Sequence, residues 1–195
     1  MPASYIGPVT AAPTRAQDFS APYDDRPTVV VSYSTDRLQN GPRRVQTALN
    51  ALADLPVRVL ASTSCLFPAA RLRVPANATV FDYLPLTSAL QGAALAVCHA
   101  GHGTTLTALS HGVPLICIPG LGRDQGPIAA RVAELRLGLM LADHAPARDI
   151  QAAAAAVLAD GSYRSRARDF AARCPDGDGA DRGADELEAM LEPRT

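Results

Sequence analysis

The chain has 195 residues, 48% of them hydrophobic, with 18 basic and 19 acidic side chains and a formal net charge of −1. That length suits one α/β domain with tails and supplies ample apolar surface for a core, while the even charge balance leaves no electrostatic footprint for nucleic acid. No apolar run reaches the roughly 20 residues that span a bilayer, and the amino terminus lacks the basic start and apolar stretch of a secretory signal, so no membrane partner is expected and a cytoplasmic location is.

In chain order, residues 1–26 form a polar stretch punctuated by Pro2, Pro8, Pro13 and Pro22 and read as a linker, with a domain over 27–195. A strand is predicted over 28–33. A helix follows over 42–53, capped by Asn40 or Gly41, with Pro42 in the first turn, where its missing N–H costs nothing. Short strands over 57–61 and 79–81 and a short helix over 86–91 lead to 95–98, an apolar run of the kind buried on both faces of a parallel sheet. A helix begins near Gly103 or Thr104 and stops at Gly112, and 113–119 is the next strand. Beyond it the pattern predicts a helix over 126–135, a strand over 138–141 and a helix over 146–158 rich in alanine. A continuing helix over 163–173 carries Arg164, Arg166, Arg168 and Arg173 as a solvated face. A turn over 175–179 and a last helix over 183–191 close the chain. Alternating strands and helices predict a Rossmann-like, doubly wound, mostly parallel sheet. Of the four cysteines none forms a C-x-x-C pair, and Cys98 and Cys117 fall in buried strands as reduced core residues.

The chemistry concentrates where strand 95–98 ends. His99 stands at that end, and Gly101 and Gly103 let backbone approach a ligand without Cβ interference. The following helix aims free N–H groups and the positive end of its dipole into the same space, where Thr104 and Thr105 add hydroxyls. An anion fits there, outside the carboxyl ends of the strands, and Asp124-Gln125 after the next strand lies at the same edge. His102 reads equally as a phosphate-facing residue or a solvated helix start. His99-x-x-His102 has no carboxylate or cysteine at ligand spacing, so no metal is expected.

These residues carry a resemblance. His99-Ala100-Gly101-His102-Gly103-Thr104, then Gly112-Val113-Pro114, Pro119 and Asp124-Gln125 resemble the donor-binding C-terminal domain of inverting GT-B glycosyltransferases, the family of actinobacterial macrolide and polyketide enzymes. Val29-Val30-Val31-Ser32-Tyr33-Ser34-Thr35 and Asp82-Tyr83-Leu84-Pro85 extend the match, and Tyr5-Ile6-Gly7-Pro8-Val9 resembles the family's interdomain segment. The resemblance implies the C-terminal half of a GT-B fold. It implies that His99, Gly101, Gly103 and Thr104, faced by Ser32 and Thr35, hold the diphosphate of a UDP- or dTDP-sugar. By the same likeness Asp124 and Gln125 hydrogen-bond the sugar, and Tyr83 and Leu84 pack and read the base, largely through backbone groups. Hexosyl or deoxyhexosyl transfer to a hydroxyl of a small-molecule acceptor follows, without metal or other cofactor. The acceptor pocket and the general base belong to an N-terminal domain absent from this chain, so no catalytic residue is assigned here. The alternative is a noncatalytic nucleotide-sugar binding module, or one subunit of a split enzyme, and a homo-oligomer is a further option.

The chain departs from the family pattern at four points. Thr107 stands where many relatives carry a glutamate that grips the ribose hydroxyls, which favours a deoxyribose donor such as a dTDP-sugar. Gly126-Pro127-Ile128-Ala129 replaces a Pro-x-Asn-Ala run, Leu86 replaces the Gln of plant relatives, and Arg136 replaces a usual glycine at a helix end.

Overall fold

The computed structural model describes residues 25–37, 40–174 and 179–191. One sheet contains β1 (Thr28–Ser32), β2 (Arg58–Ser62), β3 (Ala78–Phe81), β4 (Leu95–Cys98), β5 (Leu115–Cys117) and β6 (Gly138–Met140). The order is β3-β2-β1-β4-β5-β6, and every neighbouring pair is parallel. The helices are α1 (Pro42–Leu52), α2 (Leu86–Leu90), α3 (His102–Ser110), α4 (Gln125–Glu134), α5 (Ala147–Ala159), α6 (Gly161–Ala171) and α7 (Gly179–Leu191).

Successive strand side chains point to opposite faces, which divides the core in two. Val29, Val31, Val59 and Ile116 pack under Val45 and Leu49 of α1 and Ile150 and Val157 of α5. Val30, Leu60, Ala96 and Leu115 face the other way, toward Leu90, Ala108, Leu109 and Val132 of α2, α3 and α4. Every residue of β1 and β4 is buried, as central strands covered by helices on both faces should be.

The expected elements are present, with shifted bounds. Gly41, not Asn40, caps α1. Asn40 instead spans the loops after β1 and β2, its Nδ2 donating to the Ser34 carbonyl at 2.9 Å and to Ser64 Oγ at 3.4 Å. Strand β5 is shorter than 113–119 because prolines at 114 and 119 have no N–H for the ladder. α3 starts one residue early, at His102, and α7 four residues early, at Gly179. Asp160 separates α5 from α6, its carboxylate accepting the Ser162 N–H at 2.9 Å as an N-cap. The arginine face of α6 is not wholly solvated: Arg164 is half-buried and donates to the Ala93 carbonyl, and Arg168 packs over Gly112. The linker 1–26 lies almost wholly outside the described residues, as does most of the turn 175–179. A short 3-10 turn, Ala69–Arg71, was not expected.

Candidate functional site: a cleft at the switch point of the sheet

The chain runs from β1 outward to β2 and β3, then returns to β4 on the other side of β1. Between β1 and β4 the winding reverses, so the loops leaving these two strands part and open a crevice at their carboxyl ends. A cleft of about 380 Å³ lies there. It brings together Ser32 at the end of β1 and Thr35 after it, Tyr83 and Leu84 after β3, and His99, Gly101, Gly103 and Thr104 after β4. Eight of the ten residues proposed from sequence therefore line one cleft.

The first turn of α3 supplies the polar floor. Thr105 N–H is the first to bond back along the helix, to the Gly101 carbonyl at 3.0 Å, so the preceding N–H groups have no intrahelical acceptor. No acidic residue occupies that turn. Ala100, just before it, holds a left-handed φ of 62° while buried, with its N–H donating to Cys98 Sγ at 3.4 Å. Strain of this kind is held by surrounding structure where a loop must be aimed, and it turns the loop toward the helix start.

His99 is only 8% exposed. Burial first, and then the positive charge of Arg44, lower its pKa to about 4 against the opposing pull of Asp124. The imidazole is therefore neutral at pH 7 and offers one N–H and one lone pair. Its Nδ1 is buried without a hydrogen-bond partner among the described residues. The ring packs against Gly101, where a Cβ would stand 2.4 Å from His99 Nε2. Gly101 is thus required by the histidine, whereas Gly103 meets nothing within 4 Å of an added Cβ and leaves open space above the helix start.

Asp124 and Gln125 do not line the cleft. The Asp124 carboxylate reaches its rim through His102, with Oδ2 3.1 Å from Nδ1, both side chains largely exposed. Gln125 is buried, and its Oε1 accepts the Gly120 N–H at 2.7 Å, fixing the turn after β5. Tyr83 is exposed on the rim, while Leu84 is buried in the second core layer. Thr107 lines the cleft wall, and its hydroxyl donates to the Gly103 carbonyl at 2.7 Å. Sequence reasoning missed Ser62 at the end of β2, Ser64 after it, and Thr87 and Ser88 at the start of α2, all of which line the cleft. The available signal was positional: Ser62-Thr63-Ser64 follows a predicted parallel strand at the ligand-binding edge.

Fold and cleft together define a Rossmann-like α/β domain with a polar cleft at the carboxyl edge of its sheet. The chain belongs to the family of the erythromycin biosynthesis protein CIII-like C-terminal domain, matched over residues 46–176. A PGL/p-HBAD biosynthesis glycosyltransferase of Mycobacterium tuberculosis (strain ATCC 25177 / H37Ra) is 36% identical over 177 residues, which cover 86% of this chain and 38% of that protein. The demethyllactenocin mycarosyltransferase of Streptomyces fradiae is 29% identical over 191 residues, covering 97% of this chain and 41% of that protein. The crystal structure of CalG4, the calicheamicin glycosyltransferase, matches with a TM-score of 0.81 at 29% identity, covering 96% of this chain and 47% of that one. The chain spans less than half the length of each of these relatives, and its fold is that of one half of a GT-B glycosyltransferase.

Proposed function

We propose that this domain binds the nucleotide-sugar donor of a GT-B glycosyltransferase and holds its diphosphate over the start of α3. The observation that carries the reading is the cleft itself: the expected diphosphate and base residues, distant in sequence, line one crevice at the switch point. His99 and Thr104 and the free N–H groups of α3 bind phosphate oxygens, Ser32 and Thr35 approach from the β1 side, and the Tyr83-Leu84 segment covers the base. Asp124 serves the sugar from the rim. Gln125 supports that position from beneath through Gly120.

Transfer with inversion follows from such a site. The acceptor oxygen attacks the anomeric carbon, the bond from that carbon to the phosphate oxygen breaks, and the nucleoside diphosphate leaves with the electron pair. The acceptor proton passes to a general base of a second domain. The fixed donors of α3 stabilise the growing negative charge, the task that a metal performs elsewhere, so the reading is metal-independent. Relatives whose names specify glycosyl and mycarosyl transfer support a hexosyl or deoxyhexosyl donor. With Thr107 in place of a carboxylate on the cleft wall, the deoxyribose of a dTDP-sugar suits the site better than the ribose of a UDP-sugar.

Calorimetric titration of the chain with dTDP and UDP tests the reading. Saturable binding, tighter for dTDP and weakened at least about tenfold by His99→Ala or Thr104→Val, is the expected result. Failure of both nucleotides to bind, or binding indifferent to both substitutions, overturns it.

A further inference from the structure

A second cleft, of about 410 Å³, opens at the same carboxyl edge on the other face of the sheet, between α1 and α5. Its wall carries Arg37, Arg43, Arg44 and His144 against one carboxylate, Asp143. Two helix starts border it, for Gly41 is the N-cap of α1 and Pro146 that of α5. Helix starts favour negative charge, yet the first turn of α1 holds two arginines and no acid. Cations so placed repel the helix dipole and one another, an arrangement that an anion in the cleft relieves.

Asp143 answers only part of that charge. Its Oδ1 lies 3.2 Å from the Arg44 guanidinium and its Oδ2 3.4 Å from His144 Nε2. Arg44 is further fixed over the Tyr33 ring, 5.0 Å from its centroid, and donates to the Ile118 carbonyl. Arg37 and Arg43 are exposed. Tyr33, which lines the cleft and is 2% exposed, has its hydroxyl buried beside the Arg44 side chain. Ile118, Ile150 and Pro146 add an apolar floor. An apolar floor beside a basic wall fits an occupant with an organic body as well as a charged head.

We propose that this second cleft binds a phosphorylated small molecule, with the phosphate at Arg37, Arg43 and the start of α1 and the body against Tyr33 and the isoleucines. Guanidinium forks and helix N–H groups match the tetrahedral oxyanion. The site is separate from the donor cleft, which it meets only at Tyr33.

Site-resolved amide NMR of the whole chain, titrated with phenyl phosphate and with inorganic phosphate, tests this. Phenyl phosphate is expected to shift the amides of Gly41, Arg43, Arg44, Ala145, Ala147 and Arg148 saturably and to bind more tightly than inorganic phosphate. The double variant Arg37→Ser/Arg43→Ser, altered only at exposed positions, should weaken that binding at least tenfold. If these six amides do not move, or respond equally in the double variant, the proposal is overturned, and equal affinities for the two probes remove the organic body from it. Titration of the same samples with dTDP separates the two clefts: loss of the dTDP response at residues 102–105 with the phenyl phosphate response intact sinks the donor-site reading and leaves this one standing.

Discussion

His99 acts as a dipole, because its surroundings forbid it a charge. Its folded pKa of about 4 lies below the ordinary value of 6.5, through burial and then Arg44. Between those two pH values the unfolded chain binds a proton that the folded chain refuses, so stability rises with pH across the window and is lost as pH falls from 6.5 toward 4. The loss amounts to roughly 3–4 kcal/mol at about 1.4 kcal/mol per pH unit, and it levels off below the folded pKa. Urea unfolding of the parent and of His99→Asn at pH 7 and pH 4.5 should show most of that difference in the parent alone. Equal acid losses in both chains would mean that another group titrates. At this scale the site was legible where a motif ties residue type to strand end, as at His99, Gly101 and Thr104. Lone serines such as Ser62 and Ser64 carry no such tie. The inward turn of Gln125 was also hidden, because it depends on where the Gly120 N–H points after β5.

The segment between α4 and β6 shows how a single backbone angle sets the worth of a side chain. Arg136 follows α4 with φ of 53°, the left-handed conformation in which glycine ends a helix without strain. A Cβ in that region costs on the order of 1–2 kcal/mol, part of which glycine returns through the greater freedom of its unfolded chain. Arg136→Gly should therefore stabilise the domain by roughly 0.5–1 kcal/mol, read as a shift in denaturation midpoint at constant slope. Two residues later the argument reverses. An ideal Cβ on Gly138 would stand 1.9 Å from the Leu115 carbonyl oxygen, inside the β5–β6 ladder, where backbone cannot yield. Gly138→Ala should cost at least about 3 kcal/mol or prevent soluble expression, and a variant within about 0.5 kcal/mol of the parent would contradict that packing. The elements themselves were readable because proline, glycine and apolar runs mark ends and burial, as at Pro42 and over 95–98. Their bounds were less so: whether 146–173 is one helix or two depends on Asp160 folding back to cap Ser162.

For the molecule as a whole, the reversal of winding between β1 and β4 turns a chain of local elements into a single cleft. No single element holds the cleft, since its walls come from the loops after β1, β2, β3 and β4. A ligand that bridges those loops binds only when the sheet is assembled, so its binding energy adds to the stability of the fold. Nucleotide at about 100 times its dissociation constant should stabilise the domain by roughly 2.7 kcal/mol. For a chain of this size each kcal/mol raises Tm by about 2–4 °C, so dTDP at that excess should raise it by about 5–10 °C. Thr104→Val removes one hydroxyl from the half-buried start of α3 and leaves both core layers untouched, so its unliganded Tm should stay close to that of the parent while the dTDP-induced rise shrinks at equal nucleotide concentration. Ligand-free and liganded melting curves of the two chains check this together. A parent Tm unmoved by dTDP at that excess would mean that the nucleotide does not engage the assembled sheet edge.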